Sequence, residues 1–251
     1  MCYIVFDLDD TLLDRNKEIS AYTLAVLGRL QAMGHRIVIN TARSLSYSRE
    51  PFDIISPDYA VLSGGALIVD REKRPIFRAE LDHATTLSVI RELLAITDNF
   101  SVQTETTLYS SGDYSGQGAR KFNFREETFP FCAQKIVAAI PEDGPAEALA
   151  EKFGLTYTTY LDGPFRRYSP PDTTKATGNR HLAMLTGGRV EDIIAFGDDL
   201  GDVEMLRQAG VGVLMKNARK ELWPLCPRIS RFSCDEDGVA RFLAEYFRLE
   251  M

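Results

Sequence analysis

Several features that would assign a chain to a specialised class are absent from this 251-residue sequence. No apolar run approaches the roughly 18 residues that a membrane-spanning helix needs, so we expect no membrane association. The four cysteines show no paired CxxC spacing, which argues against a zinc site or a disulfide framework; they are Cys2, Cys132, Cys226 and Cys234. Reduced thiols and the lack of a basic-then-apolar leader predict a cytoplasmic protein without a signal peptide.

Positive charge is also scarce. Lysine and arginine number 29 against 36 aspartates and glutamates, which gives a formal net charge of −7. Nucleic acids select basic surfaces, so we expect no nucleic-acid partner. A small anionic substrate is compatible with this charge if local basic groups or a bound cation attract it. We expect the chain to act as a monomer or a homodimer.

Short apolar runs alternate with helical patterns at both ends of the chain. Strands are predicted at 3–6, 36–40, 60–69, 192–196 and 211–215, the third of them interrupted at Gly64 and Gly65. A helix is predicted after Ser20, which fits an N-cap position, and Gly34 fits its end. Alternating strands and helices favour an α/β core with a parallel, doubly wound sheet of the Rossmann-like kind.

The middle of the chain has a different pattern. Between about residues 80 and 170 we predict a helix, several strands, a second helix over 145–153, and strands over 157–161 and 165–169. We interpret this block as an inserted α+β domain. The predicted domains are therefore a discontinuous core, 1–79 plus 171–251, and an insert, 80–170.

Polar residues recur where predicted strands end or helices begin. In chain order they are Asp7 with Asp9, Thr41, Lys175, and Asp198 with Asp202. Ligands of open α/β sheets bind outside the carboxyl ends of the strands, so we expect these side chains to meet at one site.

At these residues the sequence resembles the haloacid dehalogenase (HAD) superfamily. Its four motifs appear in order as FDLDDTLL, INTAR, TTKATG and FGDDLGDVEML. The insert lies between the second and third motifs, which resembles the Cof-type branch (subfamily IIB) with its α+β, C2-type cap. The resemblance covers nearly the whole chain and implies a phosphatase that hydrolyses small phosphorylated metabolites, such as sugar phosphates, nucleotides or cofactor phosphates.

The resemblance also implies the catalytic and metal-binding residues. Asp7 would be the nucleophile that forms an aspartyl-phosphate, and Asp9 the general acid and base. The implied metal residues are Asp7, Asp9, Asp198 and Asp202. Mg²⁺ would bind the Asp7 carboxylate, the Asp9 backbone carbonyl and the Asp198 carboxylate, while Asp202 would bind the metal directly or through an oriented water, or would orient Lys175. A cation is physically necessary, because a carboxylate ~4 Å from a phosphate at an effective dielectric of ~20 is repelled by ~4 kcal/mol per unit charge.

Further residues of the matching motifs would bind the phosphoryl group. The resemblance implies that the Thr41 hydroxyl and the backbone N–H groups of Leu8 and Ala42 hold its oxygens, with Lys175 as a second positive charge. The role of Arg43, which follows the second motif, stays open between a substrate contact and a surface position.

The sequence departs from the family pattern at four positions. Ala42 replaces a usual Gly, Gly64 replaces the Asn of an Asn-Gly pair, Gly201 replaces the Asn of GDxxND, and Lys216 stands where Gly is common. We expect shifted phosphate or substrate contacts rather than lost chemistry.

Two alternatives stay open. One is a phosphosugar mutase of the phosphomannomutase type, which needs several cap arginines; the candidates are Arg120, Arg125, Arg166 and Arg167. The other is a catalytically weak regulator that binds a phosphorylated ligand.

Overall fold

The protein folds into two β-sheets with associated helices, as described by a computed structural model for residues 1–112, 118–160 and 163–250. The strands are β1 Tyr3–Phe6, β2 Arg36–Asn40, β3 Tyr59–Leu62, β4 Leu67–Asp70, β5 Pro75–Arg78, β6 Phe100–Gln103, β7 Leu108–Ser110, β8 Arg120–Lys121, β9 Lys135–Ala139, β10 Thr156–Thr159, β11 Phe165–Ser169, β12 Ile193–Gly197 and β13 Val211–Leu214. The α-helices are α1 Ala21–Ala32, α2 Arg49–Ile55, α3 His83–Leu93, α4 Asp143–Phe153, α5 Lys175–Leu185, α6 Val203–Gln208 and α7 Gly238–Phe247.

The first sheet has the order β13-β12-β1-β2-β3-β4-β5. Strand β1 pairs in parallel with β12 on one side and β2 on the other, so the chain winds outward from β1 in both directions. All four residues of β1 are buried, as expected for a strand covered by helices on both faces. The predicted α/β fold with a doubly wound parallel core is confirmed.

The predicted single strand over 60–69 is wrong in detail. Residues 59–70 form an antiparallel hairpin of β3 and β4, and β5 then adds a further antiparallel strand. The turn places Ser63, Gly64 and Gly65 at φ angles of 52°, 68° and 106°, a region that favours glycine. The two glycines therefore reverse the chain direction rather than interrupt one strand.

The second sheet has the order β10-β11-β9-β6-β7-β8 and is antiparallel except between β7 and β8. Helices α3 and α4 contribute to its own hydrophobic core, which includes Val89, Phe100, Ile136, Leu149 and Tyr168. Every strand of this sheet lies within 80–170, and every described strand of the first sheet lies outside that range. The predicted strand over 157–161 corresponds to β10, and Leu161 falls outside the described residues. We call residues 80–170 the cap and the remainder the core.

Helix starts follow their capping residues. The Ser20 hydroxyl accepts a hydrogen bond from the Thr23 N–H at 3.0 Å, which begins α1 where the sequence predicted. Thr174 caps α5 in the same way through the Thr177 N–H, so Lys175 is the first residue of that helix. In the described ranges, no helix has the length and apolar character required to cross a membrane.

Candidate active site

Three carboxylates meet at the carboxyl ends of two neighbouring strands. Asp7 follows β1 and Asp198 follows β12, and these strands pair in register with Phe6 opposite Phe196. Oxygen atoms of Asp7, Asp198 and Asp202 all lie within 4.8 Å of one another. The parallel pairing thus brings together acidic residues that are almost 200 positions apart in sequence.

Lys175 connects two of these carboxylates. Its ammonium nitrogen lies 2.9 Å from Asp7 Oδ2 and 2.6 Å from Asp202 Oδ1, and its side chain is 6% exposed. Asn40, at the end of β2, donates to the Lys175 carbonyl oxygen at 2.9 Å and so ties the first turn of α5 to the sheet. The sequence analysis missed Asn40, because a lone amide at a strand end has no distinctive pattern.

Asp202 is fully hydrogen-bonded within the protein. Besides the Lys175 contact at Oδ1, its Oδ2 accepts from the Asp198 and Asp199 N–H groups at 3.0 and 3.1 Å. Gly197 permits this packing, since a Cβ there would come within 2.4 Å of the Asp202 side chain. Both Asp202 oxygens are therefore already engaged, which favours an orienting role over a direct bond to a metal.

Asp7 and Asp198 keep acceptor capacity for a cation. Asp7 Oδ1 is buried and has no hydrogen-bond partner among the described residues. Asp198 Oδ1 accepts a single hydrogen bond, from the Thr11 hydroxyl at 2.7 Å. Buried acceptors of this kind are rare in folded proteins, and hard oxygen ligands suit Mg²⁺. The residues present therefore fit a divalent cation.

The electrostatics of the cluster lead to the same conclusion. Burial raises the pKa of Asp7 to about 6, although Lys175 offsets part of the effect. Burial, together with the charge of Asp202, raises the pKa of Asp198 to about 8. Burial alone would lower the pKa of Lys175, but the Asp202 and Asp7 charges outweigh it and raise that pKa. One lysine thus does not fully compensate these acids, and a cation would supply the remaining positive charge.

Asp9 lies apart from the cluster and pairs with Arg43. The guanidinium donates from Nε to Asp9 Oδ2 at 2.7 Å and from Nη2 to Oδ1 at 2.5 Å, and Lys17 adds a contact at 3.2 Å. Burial would raise the pKa of Asp9, but Arg43 and Lys17 outweigh it and lower that pKa. The sequence left the role of Arg43 open, and in this structure its side chain pairs with Asp9.

The expected phosphate-binding loop adjoins the hairpin turn. The Thr41 N–H donates to Val61 O, and the Thr41 carbonyl accepts from the Gly64 N–H at 3.0 Å. Thr41 and Leu8 are buried, while Ala42 is half-buried and its carbonyl accepts from Lys135 Nζ at 2.8 Å. Lys135 belongs to the cap and was not singled out from the sequence.

Two adjoining clefts open over these residues. The first, of about 780 Å³, is lined by Asp7, Asp9 and Asp198 from the core and by Val137, Tyr160 and Phe165 from the cap side. The second, of about 990 Å³, shares Lys17, Val137 and Tyr160 with the first and extends along Arg43, Tyr47 and Lys135. The core thus supplies the acidic end of the combined space and the cap supplies its opposite wall.

The departures from the family pattern lie in different surroundings. Gly201 is exposed, and a Cβ there would meet no atom within 4 Å. Lys216 is also exposed and lies 3.4 Å from Glu236, whereas its neighbour Asn217 lines the first cleft and donates to the Asp10 carbonyl. Lys216 itself lines neither of the two clefts.

The four cap arginines differ in whether they contact the hairpin turn between β3 and β4. Arg120 is exposed and lies over the Tyr109 ring, Arg125 pairs with Asp98, and Arg166 pairs with Asp143 at 2.9 Å. Arg167 instead packs against Gly64. Arg166 lies on the α4 side of β11, because side chains alternate along the strand.

Comparisons with known proteins bear on the family and the fold of this chain. Residues 4–243 match the family model of haloacid dehalogenase-like hydrolases. The 5-amino-6-(5-phospho-D-ribitylamino)uracil phosphatase YitU of Bacillus subtilis (strain 168) is 28% identical, over 98% of this chain and 97% of its own. BT1666 from Bacteroides thetaiotaomicron has a TM-score of 0.84 at 20% identity, covering 99% of this chain and 96% of that chain. The HAD subclass IIB sugar phosphatase BT4131 has a TM-score of 0.82 at 18% identity, covering 99% and 100%, so both structures share the fold.

Proposed function

Because the chain belongs to the haloacid dehalogenase-like hydrolase family, we propose that it hydrolyses phosphate monoesters through a phosphorylated Asp7, with Mg²⁺ as its cofactor. It is a phosphatase of this family that acts on small phosphorylated substrates. Sugar phosphates, nucleotides and cofactor phosphates are the proposed classes; the relative YitU is named as a phosphatase for 5-amino-6-(5-phospho-D-ribitylamino)uracil.

The observation that carries the proposal is the asymmetry of the Asp7 carboxylate. One oxygen is held by Lys175 at 2.9 Å, while the other is buried without a partner. Lys175 orients the carboxylate, so its two oxygens can take the two roles that the proposal needs, one bound to the cation and the other attacking phosphorus, since positioning and charge dominate phosphoryl transfer.

The reaction then proceeds in two balanced steps. An Asp7 oxygen attacks phosphorus, the ester P–O bond breaks, and the leaving oxygen takes a proton from Asp9. In the second step Asp9 removes a proton from water, the water oxygen attacks phosphorus, and the bond to Asp7 breaks. Inorganic phosphate leaves and both carboxyl groups return to their starting states.

A cation would be held by the Asp7 and Asp198 carboxylates and the Asp9 backbone carbonyl. When bound, Mg²⁺ supplies positive charge that offsets the repulsion between a carboxylate and an anionic phosphoryl group. Asp202 orients Lys175, and Lys175 orients Asp7. Leu8, Thr41 and Ala42 hold the phosphoryl oxygens in this proposal.

Arg43 imposes a condition on the acid step. Its two hydrogen bonds favour the ionised form of Asp9, which suits a base but not an acid. A substrate entering the cleft must therefore draw Arg43 away from Asp9 before Asp9 can donate a proton. An anionic substrate is a suitable competitor for the guanidinium.

The mutase alternative is less consistent with the structure. A bisphosphorylated sugar would need several arginines facing the core, and Arg120, Arg125 and Arg166 are directed elsewhere. The regulator alternative is also disfavoured, because the Asp7, Lys175 and Asp202 contacts are intact.

The experiment is turnover of p-nitrophenyl phosphate with Mg²⁺ and with EDTA. We expect activity only with Mg²⁺, and none in Asp7→Asn, which keeps the shape of the side chain but cannot act as the nucleophile. Asp10→Asn is the matched control, since Asp10 lines the same cleft and pairs with Lys17 rather than with the cluster. Ordinary turnover by Asp7→Asn would show that the covalent mechanism is wrong.

A further inference from the structure

One face of the cap sheet directs two basic side chains at the core. Strands β9 and β11 pair antiparallel with Val137 opposite Arg167. Because side chains alternate along a strand, Lys135 lies on the same face as these two residues. Ile136 and Tyr168 lie on the other face and pack into the core of the cap.

Neither basic group on this face has an acidic partner within residues 1–112, 118–160 and 163–250. Among the described residues, Lys135 donates one hydrogen bond, to the Ala42 carbonyl, and Arg167, which is 7% exposed, donates one, of 3.4 Å from Nη2 to the Thr158 hydroxyl. Arg167 Nε is buried without a partner. By contrast, the neighbouring Arg166 is paired with Asp143.

Arg167 is buried and Lys135 is half-buried, and cations without an acidic partner in such surroundings are unfavourable for folding. A charge that is removed from water without compensation remains unfavourable even after the protein relaxes around it. The two charges also repel each other, and burial together with Arg167 lowers the pKa of Lys135 to about 7. Charges retained at such a cost commonly belong to a functional site.

Both groups contact the loops beside the proposed phosphate position. Lys135 donates a hydrogen bond to the carbonyl oxygen of Ala42. In the proposed function the N–H group of the same residue binds the phosphoryl group. Arg167 occupies the space that a side chain at residue 64 would fill, since a Cβ on Gly64 would lie 2.1 Å from Arg167 Nη1. The Gly64 N–H donates in turn to Thr41 O. The glycine that replaces the family's asparagine thus makes room for this arginine.

The distance to the reacting phosphate is short. Covalent geometry and hydrogen-bond lengths place Lys135 Nζ at most about 9 Å from a phosphoryl oxygen bound to the Ala42 N–H. Lys135 lines the second cleft together with Tyr160 and Val137, which also line the cleft at Asp7. A small leaving group attached to that phosphate can therefore reach Lys135.

We propose that Lys135 and Arg167 form a cap subsite for a second anionic group, a carboxylate or a further phosphate, on the leaving group of the substrate. The inference rests on the proposed phosphatase function and specifies its substrate class. Lysine provides a compact charge at the cleft wall, and the arginine adds a planar donor set beside it. A bound anion would neutralise these two charges, which have no acidic partner in the part of the chain that the structure describes.

The test compares three-carbon phosphates that differ in the second group: glycerol 3-phosphate, 3-phosphoglycerate and propane-1,3-diyl bisphosphate. We expect Lys135→Met and Arg167→Met each to lower kcat/KM for an anionic substrate by about tenfold, mainly through KM, and to change glycerol 3-phosphate by less than about threefold. A loss for 3-phosphoglycerate alone assigns the subsite to carboxylates, and a loss for the bisphosphate alone assigns it to phosphates.

Two variants separate charge from structure. Lys135→Arg keeps the charge and should keep most of the preference for the anionic substrate. Arg166→Met removes the arginine next to Arg167 on the opposite face and should leave the preference unchanged. Equal losses for all three substrates, or an equally large effect of Arg166→Met, would overturn the subsite.

Failure of the subsite is distinguishable from failure of the phosphatase function. Wild-type turnover of p-nitrophenyl phosphate and glycerol 3-phosphate without any effect of Lys135→Met on the anionic substrates would remove the subsite and leave the function standing. If wild type hydrolyses nothing, calorimetry with 3-phosphoglycerate decides the subsite alone. Binding that Lys135→Met abolishes supports it, and equal or absent binding in both proteins refutes it.

Discussion

Replacing Lys135 by methionine gives a pH-dependent stability change whose sign follows from its surroundings. Lys135 lies between the cap sheet and the Ala42 carbonyl, and its pKa falls from 10.5 to about 7 because burial and Arg167 disfavour the charged form. The unfolded chain therefore holds this proton up to about pH 10.5, whereas the folded chain loses it near pH 7. The contribution of Lys135 to the free energy of unfolding must therefore rise with pH between those two values.

The magnitude follows from the same shift. At 1.36 kcal/mol per unit, a change from 10.5 to about 7 corresponds to at most about 5 kcal/mol. Lys135 lines an open cleft and donates to a carbonyl, so solvent and that hydrogen bond reduce the cost, and we expect about 2 kcal/mol. Below pH 7 both the folded and the unfolded chain hold the proton, and the full cost applies. Above pH 10.5 neither chain holds the proton, and the cost is absent.

The assay is urea unfolding of wild type and Lys135→Met in EDTA at pH 6.5 and pH 10. The substitution Lys135→Met should raise the free energy of unfolding relative to wild type, and this gain should be about 2 kcal/mol larger at pH 6.5 than at pH 10. Lys121→Met, at an exposed position in β8 of the cap, is the control and should show no such change between the two pH values. A stability difference for Lys135→Met that is the same at both pH values would refute the reasoning.

The remaining predictions concern the cation and the phosphate pocket. Saturating Mg²⁺ should stabilise wild type by about 2.7 kcal/mol at 100 times its Kd, and this gain should be lost in Asp198→Asn but kept in Asp10→Asn. A gain that survives in Asp198→Asn, measured by thermal unfolding, would remove Asp198 from the metal site. In the family motif GDxxND an Asn amide at this position can donate a hydrogen bond to the phosphoryl group. If the lack of that hydrogen bond limits binding, Gly201→Asn should raise kcat/KM by about tenfold, since the position is open and exposed. Gly144→Asn, at an equally open position in α4, should leave kcat/KM unchanged, and an unchanged Gly201→Asn would show that the contact is already replaced.

The core fold and the acidic cluster were largely predictable from sequence. The strands β1 and β12 are continuous buried runs, and each is followed directly by an aspartate, Asp7 after β1 and Asp198 after β12. Parallel strands that end at one edge must bring those residues together, so Asp7 and Asp198 could be placed from pattern alone. The positions of the other matching residues followed from the spacing of the four motifs.

Features that depend on turn geometry or register were not predictable in this way. The glycines at 64 and 65 were interpreted as an interruption, because the sequence alone does not distinguish a flaw in a strand from a hairpin turn with positive φ. Arg166 and Arg167 are adjacent, and a shift of one residue in register exchanges which of them faces the core. The Arg43–Asp9 pair joins charged residues 34 positions apart, a separation for which no periodic signal exists.

Trapping of the phosphorylated enzyme tests the central claim, which is that Asp7 is the nucleophile. Wild type mixed with Mg²⁺ and substrate, stopped in acid during turnover and digested, should yield a peptide containing Asp7 that carries the mass of one phosphoryl group. Treatment with neutral hydroxylamine should remove that mass, because an acyl phosphate is cleaved by this nucleophile. A phosphoryl group on another residue, or substrate turnover with Asp7 unmodified at every quench time, would contradict the account.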